Sequence, residues 1–154
     1  MEITVIDDRE IVGWTAAATR IGEIYMTNVA SMVQNVITKA AGTPISRLNI
    51  VDHGNAVSFQ IGSDHISLGN LATYRSQLVR LNGQFRSNGF VHLQHCAIGN
   101  NQPLLLQLSS IWGVPVYAGT GNHNSIYRFN LGEYVRCQPL PYGCTTDVRR
   151  PSAP

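Results

Sequence analysis

The sequence predicts an α/β domain: a mostly parallel sheet of about six strands, helices on both of its faces, and a small β-hairpin toward the C-terminal end. Three observations predict it. Apolar runs of strand length alternate with stretches of helical periodicity along the chain, the pattern of βαβ units. The runs at residues 48–51 and 90–93 are rich in apolar residues, as central strands covered on both sides are. The 154 residues fit a single domain, large enough to bury a core without metal or disulfides.

The elements follow in order. Residues 3–6 form a short apolar-rich run and the first strand. Gly13, Trp14 and Thr15 open a helix with Thr15 as N-cap. Ile21, Ile24, Tyr25, Val29, Met32, Val33, Val36 and Ile37 then recur at spacings of three and four, which predicts one long amphipathic helix. Gly42 and Pro44 end it. Residues 46–53 are the second strand. Residues 56–61 and 65–68 alternate around Gly62-Ser63 and read as a hairpin. Asn70 caps a helix carrying Leu71, Tyr74, Leu78 and Leu81. Residues 90–95 are the next core strand, followed by a helix with Leu104, Leu105, Leu108 and Ile111 and a strand at 115–118. Residues 126–129 and 134–137 read as a closing hairpin turning near Leu131-Gly132. The domain spans residues 1–144, and residues 145–154 read as a disordered tail.

Composition narrows the function. Charged residues make up 13% of the chain, about half the usual quarter. The net charge is +2, Lys39 is the single lysine, and the arginines are scattered. No basic stripe with interleaved aromatics appears, so nucleic acid is not an expected partner. No apolar run reaches the roughly 18 residues of a membrane span, so no membrane partner is expected. The first residues lack the features of a signal peptide. That predicts cytoplasmic synthesis, with export open to a route that reads no cleavable signal. The three cysteines, Cys96, Cys137 and Cys144, argue against a disulfide framework. Cys137 and Cys144 flank a Pro-rich turn and are expected as two free thiols, pairing only in an oxidising compartment.

Two strings carry chemistry: Asp52-His53-Gly54 and Gln94-His95-Cys96, each closing a buried strand. If the strands pair in parallel, His53 and Cys96 are neighbours at the sheet's C-terminal edge, where open α/β sheets place their sites. A thiol beside an imidazole is a nucleophile–base pair. Gly54 leaves the backbone after the histidine uncovered, so its N–H is free to face a substrate carbonyl. Strand alternation puts His92 and His95 on opposite faces, so they do not share a metal, and no metal or other cofactor is called for. His95 is expected at the site's rim and His123 in a solvated loop, or lining the cleft. Asp52 is expected to point away from His53 as a structural hydrogen-bond partner.

The pattern of apolar strand, His53-Gly54, apolar strand, Gln94-x-Cys96 resembles the caspase–gingipain group of cysteine peptidases. There the histidine lies about 50 residues before the cysteine; here the separation is 43. The chain is more similar still to a bacterial caspase-like domain of secreted proteins. That likeness rests on His53-Gly54, Ser67-Leu68-Gly69, Cys96, a helix at 104–112 and a strand running into Gly119-Thr120-Gly121. The resemblance spans residues 46–121 and implies a caspase-like three-layer sandwich. It also implies Cys96 as nucleophile, His53 as base, and the N–H groups of Gly54 and Cys96 as the oxyanion hole. Gln94, Thr120 and Gly121 would shape the substrate site. A protein or peptide is the implied substrate, and an effector or toxin role, with a cognate inhibitor or immunity protein, fits it. His95 replaces the small residue usual before the cysteine, and no charged specificity determinant can be matched. An inactive interaction module and a thiol acyltransferase are the alternatives on the same fold.

Overall fold

A computed structural model describes residues 1–11, 22–124 and 129–151. Its main sheet has seven strands in the order β11-β10-β7-β6-β3-β1-β2. These are β1 (Glu2–Asp7), β2 (Ile24–Met26), β3 (Ile45–Val51), β6 (Phe85–Gln94), β7 (Val116–Gly119), β10 (Tyr134–Gln138) and β11 (Gly143–Val148). The first five run parallel, and β10 and β11 add antiparallel strands at one edge. Strands β4 (Ser58–Ile61) and β5 (Asp64–Ser67) form the hairpin the sequence predicts. Strands β8 (His123–Asn124) and β9 (Phe129–Asn130) form a second small pair.

The helices are α1 (Val29–Ala40), α2 (Leu71–Leu78) and α3 (Gln102–Trp112). Their apolar residues join alternate strand residues in one core: Met32, Val33, Val36, Leu104, Leu105 and Leu108 pack with Ile3, Val5, Leu48, Ile50, Val91, Leu93, Val116 and Ala118. Trp112 is buried and its indole N–H donates to the Leu78 carbonyl at 3.1 Å, tying α3 to α2. Right-handed crossovers that step the same way along a sheet leave their helices on one face. The steps β2 to β3, β3 to β6 and β6 to β7 all run the same way. Helical cover is therefore present on one face among the described residues.

The opposite residues of the same strands form a buried polar layer of Arg47, Asn49, His92 and Gln94. Arg47 Nε donates to Asn49 Oδ1 at 2.8 Å, Asn49 Nδ2 donates to Glu2 Oε1 at 2.9 Å, and Gln94 Nε2 donates to Asn49 Oδ1 at 3.2 Å. The Arg47 guanidinium also lies over the Phe90 ring, and His92 meets Tyr134 edge to face.

Five expectations change. Ile24 and Tyr25 belong to β2, and α1 starts at Asn28, whose side chain and that of Ser31 cap each other's backbone N–H groups at 2.8 and 3.1 Å. The expected cap at Thr15 lies outside the described residues. Asn70 precedes α2, but its side chain makes no cap bond to the helix. It turns back to accept from Ser67 N and donate to the His65 carbonyl. β9 pairs with β8, while β10 pairs with β11, so the closing hairpin turns at the Pro-rich segment rather than at Leu131-Gly132; residues 126–128 of the expected hairpin lie outside the described residues. β11 occupies residues 143–148, so the segment expected to be a disordered tail supplies an edge strand. There Cys137 and Cys144 face each other across the pair and are joined by a disulfide, against the expectation of two free thiols.

Candidate functional site at the strand ends

The parallel register aligns Ile6, Val51 and Gln94 on neighbouring strands. The next residues, Asp7, Asp52 and His95, therefore share one rim, with His53 and Cys96 a step beyond. The strand order also reverses beside β1, because β2 lies on its far side while β3, β6 and β7 continue the other way. Ligands of open α/β sheets bind at such a switch point.

The two predicted strings meet one strand over, at the ends of β3 and β6. A Cβ built on Gly54 would stand 3.0 Å from His95 Cβ and 3.1 Å from the Cys96 carbonyl oxygen. Only glycine lets the backbone approach this closely without displacing a neighbour. The loop is held in place by an isolated bridge between Gly54 and Phe59 and by Gln60 N donating to the His53 carbonyl at 2.8 Å. His53 is exposed and Cys96 is half-buried as a free thiol.

The backbone turns sharply at the cysteine. Ala97 has φ 58°, in the left-handed region, at a cost of about 1–2 kcal/mol for a residue with a Cβ. Its N–H donates to the Gly121 carbonyl at 2.8 Å. Asn100 Nδ2 bridges the carbonyls of Ala97 and Thr120 at 2.9 and 2.8 Å. The His123 N–H points at Cys96 Sγ across 3.3 Å. The His123 backbone thus stands at the thiol, nearer the second of the two places expected for this residue than the solvated loop.

Thr120 and Gly121 reach the same rim. Thr120 Oγ1 accepts from Glu133 N at 3.0 Å, and Gly121 exchanges hydrogen bonds with the Asn130 side chain at 2.9 and 2.7 Å. Gln94 lies below the rim, in the buried polar layer.

At its level of the strand ends His95 is fully buried, not exposed beside the site as expected. Its Nε2 donates to the Gln60 carbonyl at 2.8 Å, and its ring meets Phe59 edge to face at 5.0 Å. Burial pushes its pKa down to about 3, so the imidazole is neutral and serves as packing under the His53 loop. His92 lies in the polar layer, where burial and then the Arg47 charge hold it well below the usual histidine range.

Beneath His53 sit two buried carboxyl groups, Asp7 and Asp52. Asp52 Oδ1 accepts from His53 N and Oδ2 from Gly62 N, both at 2.8 Å. Asp7 is paired with Arg9, Nη2 to Oδ2 at 2.6 Å and Nε to Oδ1 at 3.1 Å. Burial, reinforced by the Asp7 charge, raises Asp52 to about 7. Burial also acts upward on Asp7, but its hydrogen bonds to Arg9 and the Arg9 charge overcome it and hold Asp7 below the ordinary value. The expectation for Asp52 as a hydrogen-bond partner holds; its pairing with Asp7 needed the strand order, and no motif signals it.

A mostly parallel α/β sheet with a thiol loop and a histidine loop abutting at its strand ends is the class that fold and site define. The chain belongs to the family described as Domain of unknown function (DUF4347), whose model matches residues 7–126. No curated protein and no solved structure matches it.

Proposed function

We propose that this domain is a caspase-like cysteine peptidase acting through Cys96 and His53. One observation carries the reading: Gly54 packs on the Cys96 backbone, so the loop bearing His53 meets the loop bearing the thiol. The left-handed Ala97 adds support, since backbone strain gathers at functional sites.

In the proposed reaction His53 takes the thiol proton and Cys96 Sγ bonds to the carbonyl carbon of the peptide. The N–H groups of Gly54 and Cys96 hold the oxyanion. The C–N bond breaks as His53 passes its proton to the leaving amine, leaving a thioester. Water, deprotonated by His53, then splits the thioester to the free acid and the thiol. No cofactor enters the scheme. The Cys137–Cys144 disulfide supports maturation in an oxidising compartment, hence the effector reading of an exported domain acting on a target protein.

The test is the alkylation rate of Cys96 against pH, in the parent chain and in His53→Ala. Alkylation at pH 6 faster than that of free cysteine, and lost in His53→Ala, supports the pair. A peptide library and Cys96→Ala then separate hydrolysis from binding. Slow alkylation indifferent to His53 overturns the dyad and leaves a non-catalytic interaction module.

A further inference from the structure

We propose that Asp52 is a positioning residue for this site: clamped with Asp7 and Arg9, its carboxyl seats the His53–Gly54 loop against Cys96. The inference rests on the dyad reading above for its consequence, but not for its geometry.

The loop is held at two ends. At the far end, Gln60 links the His53 carbonyl to the His95 ring. At the near end the His53 N–H donates to Asp52 Oδ1 at 2.8 Å. Asp52 also binds the tip of the β4–β5 hairpin through Gly62 N. That tip cannot slide. Gly62 has φ 60°, and a Cβ there would stand 2.1 Å from the Thr27 carbonyl oxygen. Ser63 N donates to the same carbonyl at 2.8 Å, and Arg9 Nη2 donates to the Gly62 carbonyl. Asp52 therefore ties the residue bearing the imidazole to a fixed point made by β1, β2 and the hairpin.

The clamp holds two acids and one strong base. With one proton shared between Asp7 and Asp52, the remaining charge is matched by Arg9. The other ionisable groups around it are Asp8 beside Arg9, Asp64 on the hairpin, whose carboxylate accepts from Val29 N, His53 itself, and neutral His95 beneath the loop. Removing the shared proton puts two carboxylates in contact, and the clamp loosens. Burial raises Asp52 to about 7 in the seated loop, against about 3.9 for an open, solvated one. By linkage the loosening develops as pH rises from about 4 to 7 and is complete above that.

The experiment uses the intact chain with two readouts. The first is the ratio of Cys96 alkylation rates with and without His53→Ala at pH 6, measured also in Asp52→Ala and Asp52→Asn backgrounds. The expected result is a ratio that collapses toward one in Asp52→Ala and is restored in Asp52→Asn, whose amide is neutral like the protonated acid and still accepts from His53 N. An unchanged ratio in Asp52→Ala overturns the proposal. The second is hydrogen exchange at the His53 and Gly62 amides, as the difference between Asp52→Asn and the parent. The difference should grow with pH from about 4 to 7, by up to tenfold per unit for one proton. A flat difference overturns the clamp. If the parent shows no His53 dependence at all, the dyad reading fails, and the amide readout alone judges the clamp. Should Asp52→Ala not fold, Asp7→Asn stands in; it should abolish the pH dependence of exchange at both amides, and retention of that dependence overturns the proposal.

Discussion

Replacing Asp52 with Asn should change global stability in a way that depends on pH with a defined sign. Asp52 has a folded pKa near 7 against 3.8 for the ordinary group. An acid whose folded pKa is raised favours folding while protonated, so stability is lost as pH rises from about 4 to 7. The shift of roughly three units corresponds to a loss on the order of 4 kcal/mol across that window. Two buried histidines act in the opposite direction. Their folded pKa values are lowered, so His92 and His95 add stability as pH rises toward 6.5. The parent profile alone therefore conceals Asp52, and the difference between parent and Asp52→Asn isolates it. At pH 4 the variant should be the weaker protein by about 1–3 kcal/mol, because the amide nitrogen cannot accept from Gly62 N. By pH 8 the order should reverse, the variant gaining on the parent by a few kcal/mol. Urea unfolding at half-unit pH steps measures it. A difference that stays flat between pH 4 and 7, or slopes the other way, refutes the reasoning.

Other outcomes follow from single contacts. Gly54→Ala places a methyl 3.0 Å from His95 Cβ and 3.1 Å from the Cys96 carbonyl; it should cost about 1–3 kcal/mol in thermal unfolding and remove the His53 dependence of Cys96 alkylation. His95 should remain the neutral Nε2–H tautomer down to pH 4, read from its ring nitrogen shifts, since Nε2 donates to Gln60 and burial opposes charge. Thiol titration of the denatured, unreduced chain should find one reactive cysteine, Cys96, and three after reduction. Replacing Cys137 and Cys144 together with serine should destabilise by about 2–3 kcal/mol on the chain-entropy estimate for a short loop.

Sequence pattern carried the central frame well and the edges poorly. Apolar runs ending in His53-Gly54 and Cys96 located β3, β6 and the meeting of their loops, because buried parallel strands are legible as runs. Strand β2 was lost because Ile24 and Tyr25 keep helical spacing to Val29, and three residues are too few to show alternation. Strand β11 was lost because Cys144, Thr145, Thr146 and Asp147 present no apolar face. The polar layer is hidden in the sequence because Leu48, Ile50 and Val51 make β3 read as apolar, while Arg47 and Asn49 alternate with them. The Asp7–Asp52 pair depends on β1 lying beside β3, which no local pattern encodes.

The two margins of the main sheet are poor templates for another chain. At one margin β2 offers three residues. At the other, β11 pairs with β10 through a register shift between Tyr134 and Arg136, and Asp147 takes φ 56°. Such irregularities twist a border strand and break the row of amides that a stranger would need to zip onto. The folded domain can thus be held at high concentration with low risk of edge-to-edge growth into fibrils.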